Sequence, residues 1–226
     1  EVARTTAVGD VDAARVLLRT LACLYWISAP VLAAGFYLSA PAIAGNWLKT
    51  EVLTPSSVSD ALIVMGLLIA ARWPIVIYQN ALIGAQRLGL ASVVSAVMNT
   101  LSVGAAIAAI NLVSPRPQTV FAAQAVVSLV HALVLGALAW RALDGRRGVR
   151  ARLSSLRSVW RFSVGMGGVA VSSIALTQLD KALLSRILSL PQFGEYMLAV
   201  TVVGGLSVLF GPLFNTIFPE YSVRVA

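Results

Sequence analysis

Few residues in this chain could do chemistry, and they sit in unusual places. Arg72 lies in the run IAARWPIVIYQN, deep within an apolar stretch, two residues before Pro74. A guanidinium forks well onto phosphate or carboxylate. Pro74 cannot donate to the carbonyl of Ala70, so it bends or loosens the helix at that point. Arg72 therefore reads as the wall of a polar cavity. The structural alternatives are an ion pair with Asp180 or Glu195, or snorkelling to the membrane surface. His131, the one histidine, lies inside another apolar stretch. It could relay protons or bond a neighbouring helix, or be a satisfied core histidine. A third group is TQLDKALLSRIL, Thr177–Leu188, where Thr177, Asp180 and Lys181 fall near one helical face and Arg186 follows. It reads as a gate or substrate-contact cluster, or as an interfacial cap.

Enzymatic chemistry finds no support. There is no Ser–His–Asp arrangement with a nucleophile motif, no P-loop, no GxGxxG and no HExxH. His131 and the single Cys23 lie in different stretches, and one histidine is too little for a metal site. The expectation is a protein that is not an enzyme, with no catalytic residues, no metal and no cofactor.

The elements that must position these groups follow from composition. Of 226 residues, 58% are hydrophobic and 12% charged, about half the charged share of an average globular domain. Mean hydropathy is +0.86 while the net charge is +8. Disorder requires the opposite balance, and a disulfide scaffold requires many cysteines. A multi-pass membrane protein remains. Crossing the hydrocarbon core takes about 20 mostly apolar residues. Six stretches qualify: Leu17–Ile43, Val58–Ile83, Gly89–Val113, Thr119–Trp140, Val159–Leu188 and Gly194–Ile217. They lack the alternation of barrel strands and must bond their own backbones in lipid, so they read as helices. The predicted fold class is all-α, a multi-pass membrane helix bundle of six transmembrane helices drawn from two lobes of a larger transporter.

Charge fixes the orientation. With the sides alternated, Arg4, Arg15, Arg19, Arg87, Arg141, Arg146, Arg147, Arg150, Arg152, Arg157, Arg161 and Arg224 share one side. Only Lys49, Arg116, Lys181 and Arg186 fall to the other. Basic residues concentrate on the cytoplasmic side, which puts both ends of this chain in the cytoplasm. Most of the positive charge is thus a topology signal. Nucleic acid is excluded as a partner, because arginines without interleaved aromatics in a loop between spans form no stacking platform.

The one long polar stretch, Arg141–Ser158, separates four spans from two. Residues 1–145 would belong to one lobe, 141–158 to a basic cytoplasmic linker and 159–226 to the start of a second lobe. Val149, Leu153, Leu156 and Trp160 share one helical face and predict a short interfacial helix. Its arginines would meet anionic headgroups, at about 1 kcal/mol each. The loop is a lipid or phosphate recruiter, or simply a linker.

Three motifs carry a resemblance. Tyr78–Arg87 reads YQNALIGAQR, in which Tyr78, Leu82, Gly84, Gln86 and Arg87 follow the pattern Y-x3-L-x-G-x-Q-R. Gln178–Ala199 contributes Gln178, Asp180, Lys181, Leu184, Phe193, Gly194, Tyr196 and Ala199, and FPEYS closes the sixth span at Phe218–Ser222. In these residues the chain resembles bacterial polysaccharide-biosynthesis flippases for O-antigen and exopolysaccharide, a branch of the multidrug/oligosaccharidyl-lipid/polysaccharide exporter superfamily. The resemblance covers most of the chain. It implies that the chain corresponds to helices three to eight of a 12- to 14-helix transporter, without the first two helices and the C-terminal part.

The resemblance further implies a multi-pass protein of the bacterial inner membrane. It would flip undecaprenyl-diphosphate-linked oligosaccharide to the periplasmic leaflet by alternating access. Arg72, His131, Asp180 and Lys181 are the expected cavity or substrate residues. Gly84, Gln86, Arg87 and Arg186 are expected at a gate or the cytoplasmic mouth. Asp180 and Lys181 are expected at an outer gate or in coupling to a proton or sodium gradient. The expected partners are the lipid-linked oligosaccharide, membrane lipids and polysaccharide polymerase or assembly proteins. Alternatives are another exporter of the superfamily, for drugs or a peptidoglycan precursor, and a non-catalytic subunit of a polysaccharide assembly complex.

Overall fold

The computed structural model describes residues 11–46, 54–143 and 154–205, and these are helical apart from short turns. The helices are α1 (Val11–Asn46), α2 (Pro55–Arg72), α3 (Ile75–Gly84), α4 (Leu88–Leu112), α5 (Pro117–Ala142) and α6 (Ser154–Ile187). A seventh, α7, covers residues 190–205. Among the described residues, four stretches are long and apolar enough to cross a membrane: Asp12–Gly45, Pro55–Gly84, Leu88–Leu112 and Pro117–Ala142. They match the first four predicted spans with shifted edges. α1 starts earlier than Leu17 because Arg15 pairs with Asp12 at 2.8 Å and donates from Nε to the carbonyl of Leu143 at 2.5 Å. α6 stands at the place of the fifth predicted span, but it begins at Ser154 rather than Val159 and is not among the four stretches apolar enough to cross. That absorbs the end of the proposed linker, and the rest of its basic loop (144–153) lies outside the described residues. So do residues 206–226, which hold half of the sixth span and the FPEYS motif.

The second span is divided as Pro74 requires. α2 ends at Arg72, Trp73 and Pro74 form a turn, and α3 resumes at Ile75. Trp73 and Pro74 keep helical backbone angles, so the division is a kink rather than a reversal. α1 pins it from one side. Trp73 stacks on Tyr25 with ring centroids 5.5 Å apart and donates from Nε1 to Ser28 Oγ at 3.0 Å. One turn on, Trp26 Nε1 donates to the hydroxyl of Tyr78 at 2.9 Å.

α2 and α5 run side by side in the same direction. At their starts, Gln118 Nε2 donates to the carbonyl of Ser57 at 2.8 Å. α1 packs on α2, and α4 on α5. The best-buried residues gather at one end, where Leu18, Tyr78, Leu82, Leu135 and Leu143 enclose Ala14, Ala81, Ala91 and Ala139. Lipid is as apolar as leucine, so van der Waals fit holds such helices together and small residues mark the contacts. Gly66 faces Phe36 so closely that an added Cβ would collide with that ring's own Cβ. A Cβ on Gly136 would come within 3.2 Å of the Tyr78 ring. Large apolar side chains such as Leu38, Val93 and Val126 point outward, as expected where lipid is the solvent.

Candidate functional site

Four helices bring polar residues to one half-open cavity of about 270 Å³. α2 supplies Arg72, its last residue, and α3 supplies Gln79, seven residues on across the Pro74 kink. α4 supplies Ser95, Asn99 and Ser102, and α5 supplies Ser128 and His131. The spacings of seven, of four and three, and of three keep each set on one helical face. Arg72 lies about 26 Å along its span from Pro55, and His131 about 21 Å along α5 from Pro117, at 1.5 Å per residue. Both are near mid-depth in their spans. Of the predicted cavity residues, the structure brings these two to one cavity.

Arg72 Nε donates to Ser128 Oγ at 3.3 Å, and Ser128 in turn donates to the carbonyl of Gln124 at 2.7 Å. Ser128 is thereby satisfied and fixes the guanidinium at the rim. The alternative of an ion pair with Asp180 or Glu195 is not formed, nor does any described carboxylate approach Arg72 within ion-pair distance. Deeper in, His131 Nε2 and the hydroxyls of Ser95 and Ser102 are buried with no hydrogen-bond partner. His131 is 6% exposed and Ser102 7%. A buried polar group left unpaired costs about 1–3 kcal/mol, and all three of these belong to residues that line the cavity. A second cavity of about 300 Å³ lies on the α1 side of α3 and α5, lined by Arg19, Cys23, Trp26, Tyr78 and Trp140.

Asp180 and Lys181 belong to another place. They sit on α6, and their side chains diverge. Tyr196 of α7 donates its hydroxyl to Asp180 Oδ2 at 2.7 Å. Lys181 Nζ donates to the carbonyl of Thr177 at 2.9 Å and to Gln178 Oε1 at 2.7 Å. Phe193 and Tyr196 are in ring contact at 6.2 Å. Ser189 opens α7, with its backbone N–H bonded to Gln192 Oε1 at 3.2 Å, half of a capping box. The second motif is therefore what closes the α6–α7 hairpin. Arg186 lies in the last turn of α6.

The first motif makes the turn between α3 and α4. The N–H of Arg87 returns to the carbonyl of Leu82 at 2.8 Å, and that of Gln86 to Ile83 at 3.0 Å. This closes a C-terminal cap in which Gln86 takes the left-handed conformation, φ 58°. Tyr78, Leu82 and Gly84 are buried beneath the turn, while Gln86 and Arg87 are exposed. Among the described residues no three His, Cys, Asp or Glu side chains gather closely enough to hold a metal ion.

Sequence reasoning missed Gln79, Ser95, Asn99, Ser102 and Ser128. The signal was present: within apolar spans, Ser95, Asn99 and Ser102 recur at four and three, as do Gln124, Ser128 and His131.

No curated protein and no solved structure matches the chain. A family model described as "Polysaccharide biosynthesis protein" matches residues 14–223, nearly its whole length. With its apolar membrane-crossing helices, the chain belongs to this family of membrane transporters of polysaccharide biosynthesis.

Proposed function

We propose that this chain forms part of a flippase that carries undecaprenyl-diphosphate-linked oligosaccharide across the bacterial inner membrane. The family match carries this reading. The polar cavity with Arg72 at its rim supports it, because a diphosphate crossing a bilayer needs positive charge at membrane depth. The four spans of α1–α5 would belong to one lobe, and α6–α7 would begin a second. Rocking of the two gives alternating access. In this arrangement both ends of the chain face the cytoplasm, with Gly84, Gln86 and Arg87 at the cytoplasmic mouth. Arg72 contacts anionic substrate groups, with His131 beside it. Asp180, Lys181 and Arg186 act at the outer side, in gating or in coupling to a proton or sodium gradient. The protein works without a cofactor and is not an enzyme. Its partners are the lipid-linked oligosaccharide, membrane lipids and the polymerase or assembly machinery.

The test is surface-polysaccharide export in cells that depend on the full-length protein. Arg72→Ala at normal protein level should lower export about tenfold, the loss of one charge-assisted contact. Normal export would remove Arg72 from the mechanism.

A further inference from the structure

We propose that Trp73 is a positioning residue: docked on α1, it sets the bend at Pro74 and so holds Arg72 toward the polar cavity. It rests on the transport role given to Arg72 above, and deepens it. A proline removes one rung of the backbone ladder, so side chains must define the angle between α2 and α3. α1 supplies them on both sides of the break. Before it, the Trp73 ring stacks on Tyr25 with centroids 5.5 Å apart, and Trp73 Nε1 donates to Ser28 Oγ at 3.0 Å. Ser28 in turn donates to the carbonyl of Tyr25 at 3.1 Å, so stacking partner and acceptor are held as one unit. After the break, Trp26 Nε1 donates to the hydroxyl of Tyr78 at 2.9 Å. Tyr78 is buried, with its ring beside Gly136 of α5.

Arg72 precedes Trp73 at the end of α2. Consecutive helical residues point about 100° apart. With Trp73 turned to α1, Arg72 turns to α5, where its Nε meets Ser128 Oγ at 3.3 Å. The two side chains brace one turn of helix between two neighbours, and unbending or rotating that turn moves both. The bracing is unequal. Arg72 is exposed on the half-open cavity and its bond to Ser128 is long, so it holds the turn weakly. Trp73 lies near the middle of the span Pro55–Gly84, where lipid offers its N–H no acceptor. Ser28 is the acceptor, and it selects one orientation of the ring. The direction of Arg72 is therefore set from the α1 side.

Two measurements on the full-length protein test this. The bend is read as the distance between spin labels at Asp60→Cys and Asn80→Cys, exposed positions on α2 and α3, in a cysteine-free background with Cys23→Ser. The distance should be single and narrow in that parent, and shifted or broadened in Trp73→Leu and in Ser28→Ala. Ser28→Thr keeps the acceptor and should restore it. Ser39→Ala removes an α1 hydroxyl that bonds only within its own helix, and should change nothing. Export is read in cells that depend on the protein. Trp73→Leu should lower it about three- to tenfold, through loss of an interhelical hydrogen bond and a ring pair. The double variant with Arg72→Ala should export no less than Arg72→Ala alone, because Trp73 acts through Arg72. A merely structural Trp73 would multiply the two losses. If Trp73→Leu does not fold, Ser28→Ala takes its place in both measurements. Two results overturn the proposal: an unchanged distance in Trp73→Leu and Ser28→Ala, or multiplied export losses in the double variant. Normal export in Arg72→Ala, with the distance still broadened in Ser28→Ala, would instead remove Arg72 from transport while upholding Trp73 as the residue that sets the bend.

Discussion

The bundle of α1–α5 and the hairpin of α6–α7 both place polar residues in apolar helices, with opposite results. In the bundle, side chains from four helices line a shared space, and Ser95, Ser102 and His131 keep buried polar atoms unpaired. In the hairpin, Asp180 finds Tyr196, Lys181 finds Gln178 and Thr177, and the groups saturate one another. A polar residue within a span is thus not one signal. Convergence from separate helices builds a chamber with capacity left over, whereas reciprocal bonds over one turn or one hairpin build a joint. Both regions carry ionisable groups, but only in the bundle do polar atoms lie buried without a partner among the described residues.

The largest effects should come from the packing that frames the chamber. Leu82 is fully buried where α3 meets α1 and α5, so Leu82→Ala should destabilise the protein by about 2–5 kcal/mol through the cavity left behind. Thermal unfolding in detergent reads this, with a lowered midpoint as the outcome. Gly66→Ala comes next. Its methyl would collide with Phe36 across the α1–α2 contact, and such overpacking costs about 1–3 kcal/mol. Restoring room with Phe36→Ala in the same chain should recover part of the loss. No recovery would mean that Gly66 matters for something other than that contact.

Much of the fold could be read from the chain because lipid imposes simple rules. Four apolar stretches became four spans, and Pro74 broke the second where a missing N–H must break it. The edges moved where polar residues found local partners, as Arg15 did with Asp12 and the Leu143 carbonyl. At the site, Arg72 and His131 stood out singly because charge and imidazole are rare at depth. That they share a cavity did not follow from either residue. It required the faces of α4 and α5, written in serines and an asparagine that look unremarkable one at a time. Asp180 and Lys181 stood out equally, yet the partner of Asp180 lies 16 residues on, and only the hairpin's closure reveals it.

In the hairpin, the joint makes a sharper prediction than any single residue does. Tyr196→Phe and Asp180→Asn remove or weaken the same hydrogen bond, so their effects should overlap rather than add. Limited proteolysis of the full-length protein across residues 187–190 should quicken a few-fold in either variant, with little further change in the double variant. Additive effects would mean that the two side chains act separately, and would reopen Asp180 as a gate in its own right.

The smallest effect falls at the turn between α3 and α4, and it carries the most discrimination. Gln86 holds φ 58°, a conformation that costs a non-glycine residue about 1 kcal/mol or more. Gln86→Gly relieves that cost but gives the unfolded chain more freedom, so the net gain should be a few tenths to about 1 kcal/mol. Gln86→Val should go the other way, because a β-branched side chain resists this region. If the motif serves only to close the turn, Gln86→Gly should leave export untouched while raising the unfolding midpoint. If the exposed amide works at the cytoplasmic mouth, the same variant should be more stable and yet export less. Stability and transport then move in opposite directions, a result that a purely architectural residue cannot produce.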